Sequence, residues 1–256
     1  MTSHSPVLLD LSHVLSSMPH AIWRASEMAV YKTSVLASGF QNLDAELPNG
    51  GWPRSSLIEL LVQQAGIGEM QLLQSSLAAI AKSQRIALIQ PPHVPNGLTC
   101  QNWRLPAERL MWLKTKKAAD ALWGAEQILK NGSCGAVLLW QTNVRAEALR
   151  RLNLAAQATD TYFFLMRPIA AQRDTSPAPL RLTLRPAPAG IHVEIIKRQG
   201  PHSDHIYFIH LPGMPASRHL NSHLNSHFNI SEHHHAHVDL PAPAISATGS
   251  ITPILV

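Results

Sequence analysis

The stretch "IELLVQQAGIGEMQLLQ" (residues 58–74) joins an apolar run to a helix-forming run through a turn that holds Gly66 and Gly68. A strand, a glycine turn and a helix start are the setting in which backbone N–H groups and a helix N-terminus cradle phosphate. The working pattern is GxxxxGK followed by Ser or Thr; its Lys neutralises phosphate charge and its hydroxyl holds magnesium. Gly68 takes the place of the last glycine, but Glu69 and Met70 stand where Lys and Ser or Thr are needed. Each unit charge a few Å from a phosphate is worth about 1 to 4 kcal/mol, so exchanging a cation for an anion there matters. Glu69 opposes a nucleotide while suiting the positive end of a helix. The expectation is a vestigial phosphate loop (Gly66, Gly68, Glu69, Met70) with no cofactor.

Other groups with chemical potential are less specific. His233, His234, His235 and His237 form a histidine tract that could hold a divalent metal, but a defined site needs ligands on folded chain, so no metal site is expected. Lys114, Lys116, Lys117, Arg150 and Arg151 are candidates for weak DNA contact, although charges at helix starts and on outer faces are usually only solvated. No Gly-x-Ser-x-Gly turn or closely spaced His/Asp/Glu set supports hydrolytic or metal-dependent catalysis.

The elements that must position the loop follow from hydrophobic patterning. Residues 56–62, 85–90, 136–141 and 161–168 read as short apolar strands, with 110–115 a weaker one. Between them, 69–84, 118–132 and 145–159 have helical spacing. This alternation predicts an α/β fold with a mainly parallel sheet covered by helices on both faces. Residues 169–179 read as a polar link, and 180–186, 191–198 and 205–211 alternate like antiparallel strands. Residues 8–31 have helical periodicity divided by Pro19. Residues 212–256 are low in complexity and are expected to be a disordered tail.

Of the 256 residues, 45% are apolar, enough for a core, and only 14% are charged, which points to surface buried on partners. Lys and Arg outnumber Asp and Glu by 21 to 16, a modest basic excess compatible with nucleic acid or an acidic protein. Cys100 and Cys134 are too few for a disulfide framework. With no apolar run of ~18 residues and no leader pattern, no membrane association is expected and a cytoplasmic setting is the default.

Several stretches together carry a family resemblance. "SGFQNLDAELPNGGWPRSSLIEL" (38–60) is similar to the lead-in to the ATPase core of RecA recombinases, with its Gly-Gly-x-Pro turn at Gly50, Gly51, Trp52 and Pro53. The order of elements from 56 to about 165, and the closing strands, resemble that core too, over about residues 31–211. The resemblance implies a RecA-like, P-loop NTPase-type core with a degenerate loop. Its strand-end acid that activates water falls at Pro91 and Pro92, and its magnesium-positioning acid at Trp140. Phosphoryl transfer depends on such charges, so an enzyme is not expected.

The opening "MPHAIWRASEM" (18–28) resembles the ImuA N-terminus, and "TYFFLMRPIAAQ" (161–172) a segment shared with SulA proteins. The chain thus resembles the ImuA proteins of the SulA/ImuA group. That implies a non-catalytic accessory of SOS-induced translesion DNA synthesis. Its implied partners are an ImuB-type inactive Y-family polymerase relative, an error-prone replicative-type polymerase and RecA. The alternative is a SulA-type division inhibitor that binds FtsZ. The layout expected is an N-terminal helical segment (1–30), a core (31–211) and a His-rich tail (212–256). Candidate partner contacts are Trp23, Arg24, Trp52 and Arg167.

Overall fold

The computed structural model describes residues 35–200 and 205–212. The expected helical segment at 1–30, with Trp23 and Arg24, lies outside the described residues, as does the expected tail beyond residue 212, with the histidine tract.

The described chain opens with two short strands, β1 (Val35–Leu36) and β2 (Trp52–Pro53), paired antiparallel. Between them lies a one-turn helix, α1 (Gln41–Asp44). Then follow β3 (Ser56–Val62), α2 (Glu69–Ala81), β4 (Ile86–Ile89), α3 (Gly97–Asn102) and β5 (Leu110–Leu113). The chain continues through α4 (Ala118–Asn131), β6 (Ala136–Trp140), α5 (Ala146–Gln157) and β7 (Tyr162–Pro168). It closes with β8 (Leu180–Ala187), β9 (Gly190–Lys197) and β10 (Ile206–His210).

Strands β3 to β10 form one sheet in the order β10-β9-β8-β3-β7-β6-β4-β5. From β8 to β5 all pairings are parallel, and β9 runs antiparallel to both of its neighbours. The mainly parallel sheet with antiparallel strands at its C-terminal end is as expected. Strand β3 sits between β7 and β8, far along the chain, and every one of its residues is buried. Burial on both faces explains why the strand is apolar apart from Ser56 and Glu59.

Alternation along the strands divides the core in two. Ile58, Leu60 and Val62 pack in one layer with Leu72, Leu73, Leu77 and Ile80 of α2. Leu57 belongs to the opposite layer with Ala121 and Ala125 of α4 and Leu149, Leu152 and Ala155 of α5. Each fully buried Leu or Ile stabilises the fold by about 1.5–3 kcal/mol, which is ample to fix helices whose own propensity is marginal. Helix α4 stops at Gly132, whose left-handed φ of 58° lets its N–H reach the Leu129 carbonyl at 3.1 Å.

Two local expectations need correction. The predicted polar link at 169–179 contains a 3-10 turn at Ile169–Arg173, and it buries Ala171 and Ala178. Helix α3 stands between the expected strands at 85–90 and 110–115, where no element was expected. Asn96 starts it, its side-chain oxygen accepting from Leu98 N at 2.9 Å and Thr99 N at 3.2 Å.

Candidate functional site

Strand β3 delivers the chain into the glycine turn, and Gly68 forms the N-cap of α2 with φ of 122°. A side chain there would be strained, and its Cβ would collide with Leu211. Glu69, the first residue of α2, folds its carboxylate back over the turn. Its Oε1 accepts from Gly66 N at 2.9 Å and its Oε2 from Gly68 N at 3.2 Å. The residue is 2% exposed. Backbone donors and helix N-terminus therefore serve an anion, as the motif requires, but the anion belongs to the protein itself. A phosphate entering here would meet a like charge, at a cost of about 1–4 kcal/mol per unit-charge pair at 4 Å.

The three positions that lack the expected charges converge in space. Glu69 and Met70, Pro91 and Pro92 beyond β4, and Trp140 at the end of β6 all line one cavity of about 300 Å³. Its walls are largely apolar, with Leu88, Leu105 and Leu110 on one side and Thr99, Cys100 and Trp103 from the α3 region on another. Burial pushes the Cys100 thiol up, away from the thiolate form that a nucleophile needs. Trp140 is 6% exposed, and its indole Nε1 has no hydrogen-bond partner among the described residues. Such an orphaned donor costs about 1–3 kcal/mol. No cluster of three His, Cys, Asp or Glu suited to a metal ion exists among the described residues.

A second polar cluster lies inside the sheet, and patterning gave no sign of it. Glu59 of β3 is fully buried. Its Oε1 accepts from Arg167 Nη1 of β7 at 3.2 Å, and its Oε2 from Arg181 Nε of β8 at 2.5 Å. Arg167 Nη2 also donates to Asp174 at 2.7 Å, and Arg181 Nη2 donates to the Ala171 carbonyl at 2.8 Å. Three adjacent strands and the crossover at 169–174 are thereby fixed to one carboxylate. That network is why the expected polar link is ordered.

The candidate contacts are placed as follows. Arg167 is 2% exposed and committed to Glu59 and Asp174. Trp52 is fully buried, its ring meeting Phe164 edge-on with centroids 5.5 Å apart. Neither side chain faces solvent: β2 packs Trp52 onto the sheet, and Glu59 draws Arg167 inward. Lys114, Lys116, Lys117, Arg150 and Arg151 are exposed, and Arg151 pairs with Glu126 at 3.6 Å. Large apolar side chains that do face outward include Val94, Leu98 and Trp112 as well as Trp123 on α4, Leu154 on α5, and Ile206 and Phe208 on the sheet-edge strand β10. The run of four large apolar residues from Ile206 to Ile209 in "HIYFIHL", more than one buried face can take, was the available signal for the last two.

No protein-family model matches the chain. The cell division inhibitor SulA of Edwardsiella piscicida is 31% identical over 113 residues, which span 42% of this chain and 67% of that protein. The chain belongs to the SulA family. SulA of Serratia proteamaculans (strain 568) is 28% identical over 134 residues, or 52% of this chain and 78% of that one. About half of this SulA-family chain thus lies outside the matched segments. No helix among the described residues is long and apolar enough to cross a membrane.

Proposed function

We propose that this SulA-family chain is a non-enzymatic protein of the SOS response that acts by contact with other proteins. The observation that carries the reading is the Glu69 carboxylate seated on Gly66 N and Gly68 N, where a nucleotide phosphate would have to sit. The absence of a lysine from the loop, and of acids at Pro91, Pro92 and Trp140, supports it further. We assign the chain to the ImuA side of the SulA/ImuA group, as an accessory of damage-induced translesion synthesis. Its partners would be an ImuB-type polymerase relative, an error-prone replicative-type polymerase and RecA, in the cytoplasm. This assignment is supported by the RecA-like lead-in at 38–60 and by the half of the chain beyond the SulA match.

A second reading, a division inhibitor acting on FtsZ, is favoured by the names of both relatives. The exposed apolar side chains of β10 suit protein contact in either case. The two readings separate in a deletion strain exposed to ultraviolet light. The accessory role requires loss of induced mutagenesis on deletion and normal cell length on overexpression. Unchanged mutagenesis with filamentous cells on overexpression would sink it in favour of division inhibition.

A further inference from the structure

The main sheet ends at β5 on one side and at β10 on the other, and no described strand pairs with either outer edge. The two edges are guarded differently. Strand β5 is flanked by Arg109, Lys114, Lys116 and Lys117, and a charged border is a common defence against edge-to-edge pairing. Strand β10 holds no Lys, Arg, Asp, Glu or Pro over Ile206–His210, has no bulge, and exposes Ile206 and Phe208. We propose that β10 is a dimerisation strand, pairing antiparallel with β10 of a second copy of this chain about a two-fold axis at Phe208. This goes beyond the role in the SOS response and does not depend on which partner is correct.

The register of the strand makes a second copy of itself the fitting occupant. The Leu211 N–H donates to the Ala189 carbonyl at 3.0 Å, and the Ile209 carbonyl packs against Gly190 of β9. Backbone groups alternate between the two edges of a strand, so those of Ile206, Phe208 and His210 point away from β9. Phe208 stands midway between the other two. A two-fold axis there sets Phe208 opposite Phe208 of the second copy, and Ile206 opposite its His210. Each outward N–H then meets an outward C=O, so the strand satisfies its own edge in a single register. The side chains agree with the backbone. Phe208 meets His192 edge-on with centroids 5.8 Å apart on the open face, whereas Ile209 is buried on the other. Pairing would set the two Phe208 rings side by side and cover Ile206 with an imidazole, with no ionised pair of like sign opposed. One strand edge is a small interface, so an association constant on the order of 10 µM is expected.

The test is sedimentation velocity on the full-length protein from about 1 to 200 µM, where the unaltered chain should pass from monomer to dimer. Phe208→Lys and Phe208→Glu change an exposed position, so the fold is retained, and each sets like charges opposite one another. Each variant alone should dimerise about tenfold more weakly or less still. Mixing the two should restore the dimer, since Lys then faces Glu, and this requires residue 208 to lie opposite itself. Phe208→Pro removes an outward N–H but spares the inward bonds of β10 to β9, and should also be monomeric. Trp112→Lys, at the other edge, should dimerise like the unaltered protein. The proposal is overturned if the unaltered protein stays monomeric throughout, which would leave the edge to a strand of another protein. Undiminished dimerisation of Phe208→Lys or Phe208→Pro, a monomeric mixture, or loss of the dimer in Trp112→Lys would overturn it as well.

Discussion

Two buried glutamates stand close together in sequence and solve the same problem in opposite ways. Glu59, in the middle of β3, is neutralised by Arg167 and Arg181 from strands made more than a hundred residues later. Glu69, at the first turn of α2, is held by the amides of its own turn. Burying a carboxylate requires either a counter-charge or several hydrogen bonds, and the two sites show one of each. The first ties distant strands into one sheet. The second fills a local binding site and leaves the rest of the fold unaffected.

The difference makes their removal unequal. Glu59→Ala would strand two buried guanidinium groups and should cost about 3–5 kcal/mol in urea unfolding. Replacing Glu59, Arg167 and Arg181 together by Leu or Met should regain most of that loss, because no uncompensated charge remains. A single variant that lost almost nothing would show that water reaches the cluster and that the strands are not held by it.

Glu69→Gln keeps the shape of the cap but removes its charge, and should cost about 1–2 kcal/mol in the same measurement. A loss equal to that of Glu59→Ala would erase the distinction drawn between a local cap and a long-range tie.

A half-buried pair gives the lower bound. The Arg198 guanidinium, bonded to Glu46 at 2.9 Å, holds that carboxyl below the usual carboxylate range. A depressed folded-state pKa stabilises the fold above the unfolded value, and this is lost as pH falls through the folded value. Wild type and Glu46→Gln should differ by less than about 1 kcal/mol at neutral pH. Their Tm values should converge as the pH is taken below about 4.

The smallest expected effect is none. Glu69→Lys with Met70→Thr restores the loop residues but not the acids, so ATP turnover should stay at the level of the buffer blank. Turnover in this double variant would mean that an acid reaches the cavity from elsewhere in the chain.

What could be read in advance follows the same division between local and distant. The strands from β3 to β10 and the three long helices have patterns complete within their own residues, so patterning finds them. Glu69 could be read because a glycine turn gives its position a meaning. Glu59 could not, since "SLIELLV" looks like a strand with one polar interruption until Arg167 and Arg181 are placed beside it. Trp52 and Arg167, candidate partner contacts by their places in the turn and beside Pro168, are buried instead, because burial depends on neighbours that are not adjacent in the chain. Helix α3 could have been found from Asn96, a capping residue followed by a glycine after a run of prolines.

The position of β3 also has a cost during synthesis. Its seven buried residues emerge first among the main-sheet strands, yet both of its neighbours, β7 and β8, are translated about a hundred residues later, a wait of about 5–20 s at ordinary elongation rates. Throughout that interval a strand destined to be buried along its whole length has no edge to pair with, so productive folding has to begin late and close the sheet around it.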